Sequence, residues 1–138
     1  MSENLDLVRS LFADWERGDF SRADWADPEI EFVYADGPEP GSRKGRGRMA
    51  DTWRNELRDW RDYRALVESY RELDHEHVLV LNTISARGKA SGVDAGTLRQ
   101  HGATLFRIRR GKVARLVLYW DRDRALADLG LAPEGDAA

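Results

Sequence analysis

Residues 103–122 read ATLFRIRRGKVARLVLYWDR, and the order of the elements follows from this stretch. Two runs that alternate apolar and polar side chains, Thr97–Arg109 and Lys112–Trp120, flank Arg110-Gly111, a loop of the length that closes a tight antiparallel hairpin. Alternation along the first run puts Leu98, Gln100, Gly102, Thr104, Phe106 and Ile108 on one face and Arg99, His101, Ala103 and Leu105 on the other. Asp121 then has the position and chemistry of an N-cap for a terminal helix, Arg122–Leu129, which Gly130 and Pro133 end.

Working back along the chain, Tyr63–Leu73 and His77–Ala86 share the period of two and extend the hairpin into a meander, with Gly88–Gly96 as an exposed turn. Met49, Trp53, Leu57 and Trp60 recur at helical spacing and predict a long helix. Before it, Ala35–Gly45 holds two prolines and three glycines and predicts loop. Ile30, Phe32 and Tyr34 alternate along a strand, Glu29–Tyr34, with an aromatic inner face. Ser21 and Asp24 resemble a capping box for a short helix, Arg22–Ala26, that Asp27-Pro28 ends. Leu5, Val8, Leu11, Phe12 and Trp15 form the stripe of an amphipathic helix, Asn4–Arg17, stopped at Gly18. This order predicts an α+β domain with helices on one face of a curved, mostly antiparallel sheet and a central pocket. Trp15, Trp53, Trp60 and Trp120 fall on predicted inward faces, so the pocket wall is aromatic and suits flat or apolar molecules.

Composition narrows the function classes. A chain of 138 residues, 41% hydrophobic and 34% charged, has the size and balance of one globular domain, expected over residues 1–133 with a disordered tail at 134–138. Cysteine is absent, so disulfides, thiolate metal sites and thiol nucleophiles are excluded. The acidic Met1–Leu5 start and the lack of a long apolar run predict neither export signal nor membrane span, and a cytoplasmic location. A net charge of -3 argues against nucleic acid. The basic group Arg43, Lys44, Arg46 and Arg48 is followed by Asp51, Glu56, Asp59 and Asp62, the pattern of a solvated helix face. Gly45-Arg46-Gly47 lacks the preceding strand and third glycine of a dinucleotide loop, so no cofactor is expected. His75 and His77 have no third ligand nearby, and no metal is expected.

The element order, with LFADWERGD (residues 11–19), DPEIEF (27–32), FRIRRGKV (106–113) and YWDR (119–122), resembles the SnoaL-like branch of the nuclear-transport-factor-2-like superfamily over nearly the whole chain. The resemblance implies a cone-shaped, cystatin-like α+β barrel. It also spans many chemistries, among them polyketide cyclases, ketosteroid isomerases and epoxide hydrolases. It places the steroid isomerase base near Phe32 and the oxyanion-hole acid near Thr104; neither residue is ionisable, so that isomerisation is not expected. In the SnoaL-like cyclases an aspartate acting as acid/base follows the last strand, which Asp121 matches. Their His-Trp pair on that strand is replaced here by Leu116-Val117.

Two residues are therefore candidates for chemistry. Asp121 is a general base if the apolar wall of Trp120, Leu116 and Phe32 desolvates its carboxylate, or a helix cap if it accepts backbone N–H groups. Tyr34 is placed to aim its hydroxyl at a ligand carbonyl or hydroxyl. Trp15, Phe32, Tyr34, Trp53, Gln100, Thr104, Phe106, Leu116 and Trp120 are the expected pocket residues, with Asn82 a further polar candidate. The expected function is binding of a small hydrophobic or flat organic molecule, extending to cofactor-free proton transfer of the cyclase or isomerase kind. Two alternatives remain open: a noncatalytic dimerisation domain with a vestigial cavity, and an epoxide hydrolase-like enzyme. Val33 and Leu105 on the outer sheet face suggest a homodimer.

Overall fold

The computed structural model describes residues 3–20, 22–36, 40–58, 60–88 and 97–131, with backbone alone for 56–58, 60–62, 87–88 and 97–100. Helix α1 (Glu3–Glu16) buries Val8, Leu11, Phe12 and Trp15. It ends in a Schellman turn, in which Gly18 N–H donates to Trp15 O at 3.0 Å and Asp19 N–H to Asp14 O at 2.9 Å. Gly18 takes φ 82°, a left-handed conformation that a side chain would strain. Strand β1 (Ala26–Tyr34) follows a single turn closed by Ala26 N–H to Ala23 O, so the short helix expected over Arg22–Ala26 is not formed. Ser21, read as its cap, lies outside the described residues. Pro28 sits inside β1 rather than ending a helix. Pairing there jumps from Ala26↔Val113 to Glu31↔Arg115, because proline brings no N–H to a ladder and is accommodated at an irregularity.

Within the stretch read as loop, β2 (Gly41–Lys44) pairs antiparallel with β1, from Tyr34↔Gly41 to Glu31↔Lys44. A strand this short has no period to read among prolines and glycines. Helix α2 (Arg46–Arg58) comes next, and Trp60 opens β3 (Trp60–Glu72) instead of closing α2. Its backbone pairs with Gly88 at the far end of β4 (His77–Gly88), and this ladder outweighs the helical spacing of the apolar residues. Strand β5 (Thr97–Arg109), β6 (Lys112–Tyr119) and helix α3 (Arg122–Asp128) complete the described chain where expected. At the β5–β6 hairpin both Arg110 (φ 53°) and Gly111 (φ 74°) are left-handed, the combination whose twist matches that of paired strands. Residues 89–96, within the expected turn, and 132–138, which include the expected tail, lie outside the described residues.

The strands form one curved, unclosed sheet in the order β2-β1-β6-β5-β4-β3, antiparallel except for the parallel pair β1–β6. Its inner face packs Phe32, Val78, Val80, Phe106 and Leu116 against α1. The helices do not all share that face. Leu79, Leu81, Ala103, Leu105 and Val117, the alternate residues of the same strands, cluster with Ala125 and Leu126 of α3 on the other side. The unbroken apolar run Val78–Leu81 supplies both faces at once, so the sheet is covered on both. No helix among the described residues is long and apolar enough to cross a membrane.

Candidate functional site

Between the inner sheet face and the helices lies a cavity of about 70 Å³. One water needs only about 10–15 Å³, so the space admits several waters or a compact organic group. Helix α1 contributes Phe12 and Trp15 to its wall, α2 contributes Trp53, and the strand ends bring Tyr34, Tyr63 and Trp120. Trp15 organises these rings: it meets Phe12 edge-on at 4.8 Å and Trp53 edge-on at 5.4 Å, and stacks near Phe20 at 6.0 Å. Each such contact adds about 0.5–1.5 kcal/mol beyond area burial, which holds the wall in one shape. Two buried polar side chains interrupt it. Asn82 on β4 and Thr104 on β5 are each 3% exposed, and the Thr104 hydroxyl donates to Asn82 Oδ1 at 3.0 Å. No carboxylate, imidazole or amine is found among the described wall residues.

Of the residues expected to line the pocket, Trp15, Tyr34, Trp53, Thr104 and Trp120 stand on the wall. Phe32, Phe106 and Leu116 are fully buried in the core packed around it. The side chain of Gln100 lies outside the described residues. Tyr34 presents its ring edge-on to Phe32 at 4.9 Å, with the Arg43 guanidinium 5.8 Å from the ring centre. Asp121 is exposed and is not part of the wall. Its carboxylate accepts the backbone N–H of Asp123 at 3.0 Å and of Arg124 at 3.4 Å, the bonds of an N-cap. His101 is exposed on the opposite face, its Nδ1 3.0 Å from the Thr83 hydroxyl. His77 Nδ1 lies 2.8 Å from Asp74 Oδ1, and the same carboxylate accepts the backbone N–H groups of Glu76 and His77.

Two features have no signal in the sequence. Asp36, just past β1, accepts the N–H of Trp120 at 2.6 Å and of Asp121 at 3.2 Å, and so fixes where the chain leaves β6 to bring Trp120 onto the wall. On the outer face, Arg122 bonds the Glu68 carboxylate and the carbonyls of Asn82 and Gly102, while Thr83 Oγ1 donates to Glu68 Oε2 at 2.8 Å. Arg122 hydrogen bonding, opposed by desolvation and helped by Thr83, holds the Glu68 carboxyl down at about 2 against an ordinary 4.5. A depressed folded-state value means stability that is present above pH 4.5 and lost as pH falls from there towards 2. Glu68 is 41% exposed, so solvent screens the pair and its contribution is about 1 kcal/mol. Glu68→Gln is expected to cost about that much at pH 7 and only a small part of it near pH 2. Urea unfolding of both proteins at the two pH values measures this; an equal deficit at both would rule the pair out as the cause.

No protein-family model and no curated protein matches the chain. Solved structures do. An NTF2-like protein of unknown function from Burkholderia pseudomallei K96243 superposes with TM-score 0.74 at 17% identity, over 92% of this chain and 97% of that one. A SnoaL-like, polyketide-cyclase-type protein from Jannaschia sp. CCS1 gives 0.71 at 15% identity, over 95% and 94%. TerC, co-crystallised with polyporic acid, gives 0.71 at 18% identity, over 93% and 98%. The curved sheet, the N-terminal helix on its inner face and these superpositions show that the chain shares the fold of the NTF2-like and SnoaL-like solved structures.

Proposed function

We propose that the chain binds a small, flat, largely apolar molecule in the ring-walled cavity. The observation that carries this is the composition of the wall: aromatic rings held edge-on to one another around open space, with one buried polar pair, Asn82 and Thr104. An apolar concavity with a few converging polar groups is the usual form of a small-molecule site. The co-crystallisation of TerC with polyporic acid, a small molecule held by a protein of this fold, supports a small-molecule occupant. Binding accounts for this wall better than proton transfer does. Its described polar groups are hydroxyls, indole N–H groups and an amide, poor general acids and bases near neutral pH, and Asp121 is occupied in capping α3.

A dimerisation domain with a vestigial cavity is less well supported, because Leu105, one of the residues suggesting a contact face, is only 8% exposed in the single chain. The test is thermal unfolding and tryptophan fluorescence against a panel of compact aromatic compounds. A ligand at one hundred times its Kd is expected to stabilise the fold by about 2.7 kcal/mol and to change emission from Trp15, Trp53 or Trp120. If no flat compound in the panel does either, the proposal fails.

A further inference from the structure

Building on that ligand-binding reading, we infer that Asn82 is the specificity-determining residue of the cavity and donates an amide hydrogen bond to a carbonyl oxygen on a neutral, flat ligand. Asn82 is 3% exposed and stands on the cavity wall. Its Oδ1 is occupied by the Thr104 hydroxyl, and its Nδ2 donates to no protein group among the described residues. Water in the cavity can satisfy this donor in the free protein; an apolar ligand that displaces the water leaves it unsatisfied at a cost of about 1–3 kcal/mol, which an acceptor atom on the ligand avoids. Across the ladder Asn82 faces Gly102, which has no side chain to compete for the amide.

Charge selects the acceptor. Among the described wall residues no cation awaits a carboxylate and no anion awaits an ammonium, so an ionised ligand head would enter without a counter-charge. A ketone or quinone oxygen is a neutral acceptor, and the ring plane that carries it fits between aromatic walls. Thr104 is the positioning residue: by donating to Oδ1 it leaves Nδ2, rather than the amide oxygen, for the ligand.

The experiment compares 1-indanone with indane, nearly the same shape with and without the carbonyl, by calorimetry on the whole chain. The wild-type protein is expected to bind 1-indanone about 10- to 100-fold more tightly than indane. Asn82→Leu is expected to erase that preference, bringing the ratio of the two affinities to about one. Thr104→Val should reduce the preference and Thr104→Ser restore it, which a merely structural role for Thr104 would not do. Should Asn82→Leu fail to fold, Asn82→Ala, which also lacks a donor, and the Thr104 pair carry the same comparison. Equal affinity for the two compounds in the wild type, or a preference that survives Asn82→Leu, overturns the role of Asn82 while leaving the cavity as a binding site. Binding of neither compound overturns both.

Discussion

Trp15→Ala is expected to destabilise the protein by about 3–5 kcal/mol and to abolish binding of flat ligands. Trp15 is 5% exposed and is ringed by Phe12, Phe20, Trp25, Trp53 and Phe106 at centroid distances of 4.8 to 6.2 Å. Removing the indole forfeits its transfer free energy and all five ring contacts. It also opens the core into the existing cavity and removes one of the rings that a flat ligand would pack against. Stability falls for the first two reasons and binding for the third. Trp15→Phe keeps one ring and is expected to recover roughly half the loss. Urea denaturation followed by circular dichroism gives the stability; a loss below about 1.5 kcal/mol for the alanine variant would show that the wall does not depend on this ring.

Gly102→Ala should have the next largest effect, at about 3 kcal/mol, lowering Tm by about 10 °C. A methyl group at Gly102 overlaps the Tyr119 carbonyl oxygen and comes within 3.7 Å of Trp120 Cα. Both obstacles are backbone, so no rotamer change relieves the overlap; β6 itself must move. The same close approach lets the chain leave β6 and bring Trp120 onto the cavity wall, so ligand affinity should drop together with Tm. Gly47→Ala is the control. Gly47 lies within α2, a Cβ there meets nothing within 4 Å, and alanine is expected to be neutral or to stabilise by about 0.5–1 kcal/mol. A Gly102→Ala protein that unfolds at the wild-type temperature would show that β5 and β6 are not packed this closely.

Features governed by near neighbours were legible in the sequence. The β5–β6 hairpin follows from a two-residue turn between alternating runs. The outward position of His101 follows from the period of two, and the end of α1 follows from Gly18. Asp121 was legible as a cap for the same reason: the N–H groups that its carboxylate accepts lie two and three residues on. Trp60 was misplaced because four apolar residues at helical spacing look alike whether or not the last belongs to a strand. Only pairing with Gly88 distinguishes them.

The candidate site divides along the same line. Alternation and helical spacing determined by themselves that Trp15, Tyr34, Trp53 and Thr104 belong on inward faces, since each of those assignments depends only on the period of its own element. The tertiary structure alone decided which of these groups meet. The Asn82–Thr104 bond joins residues 22 apart, and Asp36 holds Trp120 across 84 residues. The parallel pairing of β1 with β6 brings the two ends of the sheet's chain path together. Contacts of that kind come from strand order and sheet curvature, and they leave no periodic mark on either partner. Asp121, read first as a catalytic candidate, caps α3 on the outer face of the sheet, while Asn82 on the cavity wall is tied to a hydroxyl from the neighbouring strand.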